Sequence, residues 1–126
     1  MLSDVFFPRV NGVSTSIQTF TESLLQQGHM VTLIAPEYPE NCQSDIEIIR
    51  IPSKQLPFDP EDRLMSLARV KGLLPKLERK RFDVVHIQTP FVAHYGGVYL
   101  AKKLGLPSVV SYHTYFEAYF EKYLPW

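Results

Sequence analysis

Three short stretches hold residues whose types could do chemistry at one site. The first is Asn11-Gly12-Val13, set between an apolar run that ends at Phe6-Phe7 and an amphipathic segment that starts at Val13. A Gly-containing turn between a strand and a helix leaves backbone N–H groups unpaired and able to hold an anion, usually a phosphate. The second is Thr89-Pro90, and the third is His113-Thr114. Histidine at the end of a strand can exchange protons or hydrogen bonds near neutral pH. Each has a plainer alternative. Asn-Gly also makes simple turns and hairpins, and a lone histidine is often a satisfied structural residue. The Asn11-Gly12 turn is neither a P-loop nor a full Gly-x-Gly-x-x-Gly.

Other chemistries find little support. His29 and His94 have no metal-ligand spacing with each other or with Cys42, so no metal is expected. There is no Gly-x-Ser-x-Gly elbow. Asp4 and Glu117 are the acids placed near the three stretches, and a helix cap or a surface role is the default for each. His86 lies inside an apolar run and reads as a core residue.

The elements that must position these residues follow from apolar periodicity. Residues 1–6 read as a first strand short of its usual upstream residues. Val13, Ile17, Phe20 and Leu24 mark one helix face, with Ser14, Thr15 and Ser16 offering cap oxygens and Gly28 closing the helix. Residues 30–35 and 46–51 are predicted strands, each stopped by a proline. Residues 53–62 read as an extended connection. Leu64, Leu67, Ala68, Leu74 and Leu77 predict helix, broken near Gly72 and Pro75. A strand over 83–87, a helix over 93–104, a strand over 107–112 and a Tyr/Phe-rich helix over 115–123 complete the chain.

Alternation of strands with helices predicts an α/β fold, a Rossmann-like, doubly wound, mostly parallel sheet with helices on both faces. Ligands of such sheets bind beyond the carboxyl ends of the strands. All three chemical stretches follow strand ends, so they converge there.

The 126 residues fit a single domain, 1–126, with 45% apolar and 21% charged content. Thirteen basic residues balance thirteen acidic ones, yet the charge is uneven. From Arg63 to Arg81 seven basic residues face the single acid Glu78, a net +6. Such a stretch is a solvated face or a surface for anionic membrane. Nucleic acid is not expected, because no aromatics interleave with these cations. No apolar run nears the roughly 18 residues of a membrane span, and no signal peptide opens the chain. One cysteine fits a reducing cytoplasm.

Four stretches taken in order are similar to the N-terminal domain of family 4 retaining glycosyltransferases of GT-B architecture. They are residues 3–13, residues 28–36, Asp83-Val84-Val85-His86-Ile87-Gln88-Thr89-Pro90, and Ser111-Tyr112-His113-Thr114. Tyr112-His113-Thr114-Tyr115 looks most like members acting on diacylglycerol or related lipids. The resemblance implies transfer of a hexose from a nucleotide-sugar to an acceptor hydroxyl of a lipid or saccharide, with retention and without a cofactor. It implies that Asn11, Gly12 and Val13 meet the donor diphosphate and that His113 sits beside the donor sugar as the catalytic residue. Thr89, Pro90, Thr114 and Glu117 would border the acceptor. Gln88 stands where many members have a second histidine. The family's donor-binding C-terminal domain, with its Glu pair and basic phosphate clamps, is expected as a partner beyond Trp126, and the 126 residues alone are expected to be inactive. The expected location is the cytoplasm, at the inner face of the membrane. A stand-alone phosphate- or nucleotide-binding α/β module without catalytic activity is the alternative.

Overall fold

The computed structural model describes residues 1–40, 43–55, 63–111 and 113. Its elements in order are α1 (Gly12–Gln26), β1 (Thr32–Pro36), β2 (Glu47–Ile51), β3 (Ser53–Gln55), β4 (Arg63–Met65), α2 (Leu67–Lys71), α3 (Leu74–Glu78), β5 (Val85–Ile87), α4 (Val92–Leu104) and β6 (Ser108–Val110).

β1 pairs with β2 and β5 with β6, both in parallel. The predicted first strand shrinks to a bridge around Leu2, which pairs in parallel with Ile34 of β1 and Ile87 of β5. Leu2 donates to the His86 carbonyl and accepts from the Gln88 amide, while Ser3 donates to the Ile34 carbonyl. The opening residues are therefore the central strand of one sheet, ordered β2, β1, residues 1–3, β5, β6. The parallel, doubly wound reading holds.

Strand alternation splits the interior into two cores. Val13 and Ile17 of α1 pack with Leu33, Ala35, Val5 and Phe6 on one face. On the other face Leu2, Ile34, Ile51 and Ile87 pack with Ala93, Leu100 and Ala101 of α4, and with Val70 and Leu77 of α2 and α3. Helices thus cover both faces.

α4 lies close to the sheet because it carries adjacent glycines. A Cβ on Gly97 would stand 2.6 Å from Ile87 Cγ1, and one on Gly96 would stand 2.5 Å from Val70 Cγ1. Ile87 and Val70 are fully buried and cannot retreat. Overpacking costs about 1–3 kcal/mol, which exceeds the roughly 1 kcal/mol of helix propensity that leaving glycine regains. Gly97→Val is expected to lower unfolding free energy by about 3 kcal/mol, read as a lower midpoint in urea unfolding. Unchanged stability would show that the helix can shift off the strand.

Two expectations need correcting between Pro52 and Gly72. Part of the extended connection forms β3, paired antiparallel with β4, and Leu64 lies in that strand rather than in helix. Arg63 stabilises the pair by donating to the Ser53 hydroxyl and carbonyl at 3.1 and 2.9 Å. The helical part divides near Gly72 as predicted, with Pro75 in the first turn of α3. Gly28 and Gly105, at φ 87° and 68°, close α1 and α4. The aromatic stretch over 115–123 and Cys42 lie outside the described residues.

Candidate functional site

The Asn11-Gly12 turn is the start of a 15-residue helix and not a hairpin. Ser14, Thr15 and Ser16 do not cap it. Asn11 does, with extended backbone and Oδ1 accepting from the Ser14 amide at 2.9 Å. The Ser14 hydroxyl is turned back to the Arg9 carbonyl at 2.6 Å, which removes it as a cap. The Asn11 carbonyl takes the Thr15 amide. That leaves the Gly12 and Val13 amides without a partner among the described residues. They sit at the positive end of the helix dipole. Gly12 lacks a positive φ, and a Cβ there would meet nothing within 4 Å. Neither backbone conformation nor packing inside the chain calls for glycine at this position. The approach to the turn is held by Arg50, whose guanidinium donates to the Phe7 and Pro36 carbonyls at 2.8 and 3.0 Å and lies over the rings of Phe6 and Tyr38.

At the ends of the central segment and β5, Asp4 and Thr89 lock together. The Asp4 amide donates to Thr89 Oγ1 at 2.7 Å, and that hydroxyl donates to Asp4 Oδ2 at 2.5 Å. The same carboxylate accepts from the Phe91 and Ala93 amides at 3.2 and 3.1 Å. Asp4 thus caps α4, a helix whose own preceding residue, Phe91, offers no side-chain cap. Burial raises the Asp4 pKa, opposed by the bonds from Thr89 and from the amides of Ala93, Phe91 and Val92. Thr89 is buried and its hydroxyl is spent on Asp4 in both directions.

His113 points its Nε2 at Gln88 Oε1, 2.5 Å away. Gln88 is almost fully buried, and burial lowers the His113 pKa. His86, two residues before Gln88 and on the same sheet face, bonds through Nε2 to the Ser111 hydroxyl at 2.7 Å and meets the Phe20 ring edge-on. It is half-buried and belongs to neither core, short of the core role expected of it, and its pKa is lowered by burial first, then by the N-terminal ammonium and His113.

The tertiary structure therefore gathers Asp4, Gln88, Thr89 and His113 beyond the strand ends, with the open α1 amides following the same central strand. Asp4 takes the helix-cap role that is its sequence default, whereas Gln88 was not singled out by sequence as a positioning residue. Thr114 and Glu117 lie outside the described residues, and Pro90 is half-buried beside Thr89. A groove of about 460 Å³ between α1 and residues 43–46, lined by Phe6, Phe7, Glu22 and Asp45 among others, shares no residue with this crevice. The crevice, unlike that groove, holds the Asp4–Thr89 and Gln88–His113 pairs.

Of the seven basic residues between Arg63 and Arg81, three are engaged internally. Arg63 holds the β3–β4 pair, Lys71 lies 5.0 Å from the Tyr99 ring centroid, and Lys80 pairs with Glu47. Arg69, Lys76, Arg79 and Arg81 are exposed. No helix among the described residues is long and apolar enough to cross a membrane.

A parallel, doubly wound sheet with helices on both faces defines a Rossmann-like domain. Comparison with known proteins narrows the class. The chain belongs to Glycosyltransferase Family 4, whose profile matches residues 10–126. It is 35% identical over 120 residues to an alpha-monoglucosyldiacylglycerol synthase of Streptococcus pneumoniae, covering 94% of this chain and 27% of that protein. It is 32% identical over 127 residues to a GDP-mannose-dependent alpha-mannosyltransferase of Mycobacterium tuberculosis, covering 90% of this chain and 31% of that protein. An alpha-monoglucosyldiacylglycerol synthase of Acholeplasma laidlawii is 32% identical over 120 residues, covering 94% and 30%. The chain thus spans less than a third of the length of these relatives. No solved structure matches it.

Proposed function

We propose that this chain is an N-terminal, acceptor-side part of a glycosyltransferase that moves a hexose from a nucleotide-sugar to an acceptor hydroxyl with retained anomeric configuration. The observation that carries this is the pair of unpartnered amides, Gly12 and Val13, opening α1 beyond the central strand in a family 4 chain. As the glycosidic bond to the donor breaks, charge grows on the leaving diphosphate. Two aimed amides and the dipole of a 15-residue helix stabilise that charge. His113 stands beside the donor sugar, and Thr89 and Pro90 border the acceptor. A C-terminal donor-binding domain supplies the remaining donor contacts, and closure of the two domains excludes water. The names of the relatives support a lipid or saccharide acceptor. Exposed Arg69, Lys76, Arg79 and Arg81 support peripheral contact with the anionic inner face of a membrane and, with it, a cytoplasmic location.

The test is transfer by the full-length protein from a panel of nucleoside-diphosphate hexoses, with the product's anomeric configuration read by NMR. Inversion, or no transfer from any of them, would overturn the proposal. In the same assay His113→Ala is expected to lower kcat about 100-fold while the melting temperature moves little. A variant that instead unfolds would assign His113 a structural role.

A further inference from the structure

The bond between Gln88 and His113 has a chemical direction. A carboxamide oxygen only accepts, so the ring nitrogen facing it must carry the proton. The opposite orientation of Gln88 would aim its NH2 group at His113 and its oxygen at the Met1 sulfur. The observed orientation lets the Gln88 Nε2 group donate to Met1 Sδ at 3.5 Å, whereas the reverse strands a buried oxygen against a sulfur without a hydrogen. The Gln88 backbone is itself fixed, since its amide donates to the Leu2 carbonyl of the central strand at 2.9 Å.

We propose that Gln88 is a positioning residue that holds His113 as the Nε2–H tautomer, leaving Nδ1 as the ring's hydrogen-bond acceptor for a substrate hydroxyl. No described group bonds to Nδ1. Burial lowers the His113 pKa and keeps the ring neutral near pH 7, so the tautomer decides what it offers. His86, the titratable group that interacts with it, is held neutral by the same cause. A neutral ring with its lone pair free can take a hydrogen bond from a sugar or acceptor hydroxyl. The other tautomer would present a donor instead. This inference rests on the placement of His113 beside the donor sugar.

The direct test needs no substitution. In the full-length protein labelled with 15N at histidine, long-range 1H–15N spectra should show His113 protonated at Nε2 and bare at Nδ1. A protonated Nδ1 in the neutral ring overturns the proposal. The kinetic test uses Gln88→Met, which keeps volume and removes the acceptor, and Gln88→Glu, which restores an acceptor. Gln88→Met should mix the tautomers and lower kcat about tenfold with the nucleotide-sugar that the protein turns over. Gln88→Glu keeps Nε2 protonated, but its charge favours the imidazolium, so Nδ1 also becomes protonated near neutral pH and the rate should recover only as pH rises through the raised His113 pKa. In a His113→Ala background Gln88→Met should have no further effect, and an equal loss in both backgrounds refutes the positioning role. Failure of the broader placement looks different, because His113→Ala would then keep its full rate while the wild-type tautomer signal stays as stated.

Discussion

Replacing Gly12 by valine in the full-length protein should lower kcat/KM at least 100-fold while leaving the fold almost untouched. The two halves of that expectation have separate causes. Inside the chain a Cβ at position 12 meets nothing within 4 Å, and the backbone is in an ordinary helical conformation. Valine there changes helix propensity by less than about 1 kcal/mol. Outside the chain the side chain would stand where a diphosphate must come within hydrogen-bond distance of the Gly12 and Val13 amides. Losing one such preorganised donor typically costs a factor of about 100 to 1,000 in rate. Steady-state kinetics together with a thermal melt check both halves at once. Equal kinetics in variant and wild type would remove the phosphate from this turn. A matched loss of rate and of melting temperature would show that the glycine serves the fold.

Asp4→Ala is the second large effect, and here stability carries it. Removing the carboxylate leaves the Thr89 hydroxyl and the amides of Phe91 and Ala93 without the acceptor they share. Losing a cap and stranding partly buried donors costs about 3 kcal/mol. Relief of the buried charge offsets part of this, which is why the expected loss is not larger. The loss should appear as a lower urea midpoint, together with weaker amide-exchange protection at the start of α4. A midpoint within error of wild type would mean that water satisfies these groups. The pH dependence has a definite sign. Because the folded pKa of Asp4 is raised, its contribution to stability is complete below the unfolded value and falls as pH rises through the folded one. Wild type should therefore lose ground to Asp4→Asn on going upward from about pH 4. The opposite trend would mean that the hydrogen bonds outweigh burial.

Both variants report on the join between the central segment and its neighbours, which is where sequence reasoning reached unevenly. Strands and helices with strong apolar patterns lie where their periodicity places them, because burial on a sheet face or helix stripe is a local property written into spacing. Val13, Ile17 and Leu33 show this. The β3–β4 pair was not legible, since its two strands carry three residues each and the pairing is fixed by Arg63 reaching Ser53 ten positions away. The cap of α1 was misplaced by three to five residues, from Asn11 to Ser14, Thr15 and Ser16. Asn11, Ser14, Thr15 and Ser16 are all good caps by type, but the Ser14 hydroxyl turns back to the Arg9 carbonyl, the Thr15 hydroxyl donates to the Asn11 and Gly12 carbonyls, and Asn11 takes the Ser14 amide. Gly96 and Gly97 carried a readable signal, an adjacent small pair inside a helix pattern, but which neighbour they admit depends on the packing of β5 and α2.

By itself the sequence determined the α/β class, the parallel order and the resemblance to family 4 glycosyltransferases. Those follow from periodicity, turn chemistry and motif order, all carried along the chain. Tertiary structure alone decided which groups there are spent and which are free. The Asp4–Thr89 bond spans 85 residues and the Gln88–His113 bond spans 25. Each depends on strands meeting side by side, so no spacing rule anticipates it. The result is that Thr89 is fully occupied, Asn11 is a cap, and His113 is oriented by Gln88. The Gly12 and Val13 amides remain open because the cap and the first helical turn satisfy only the two that follow them.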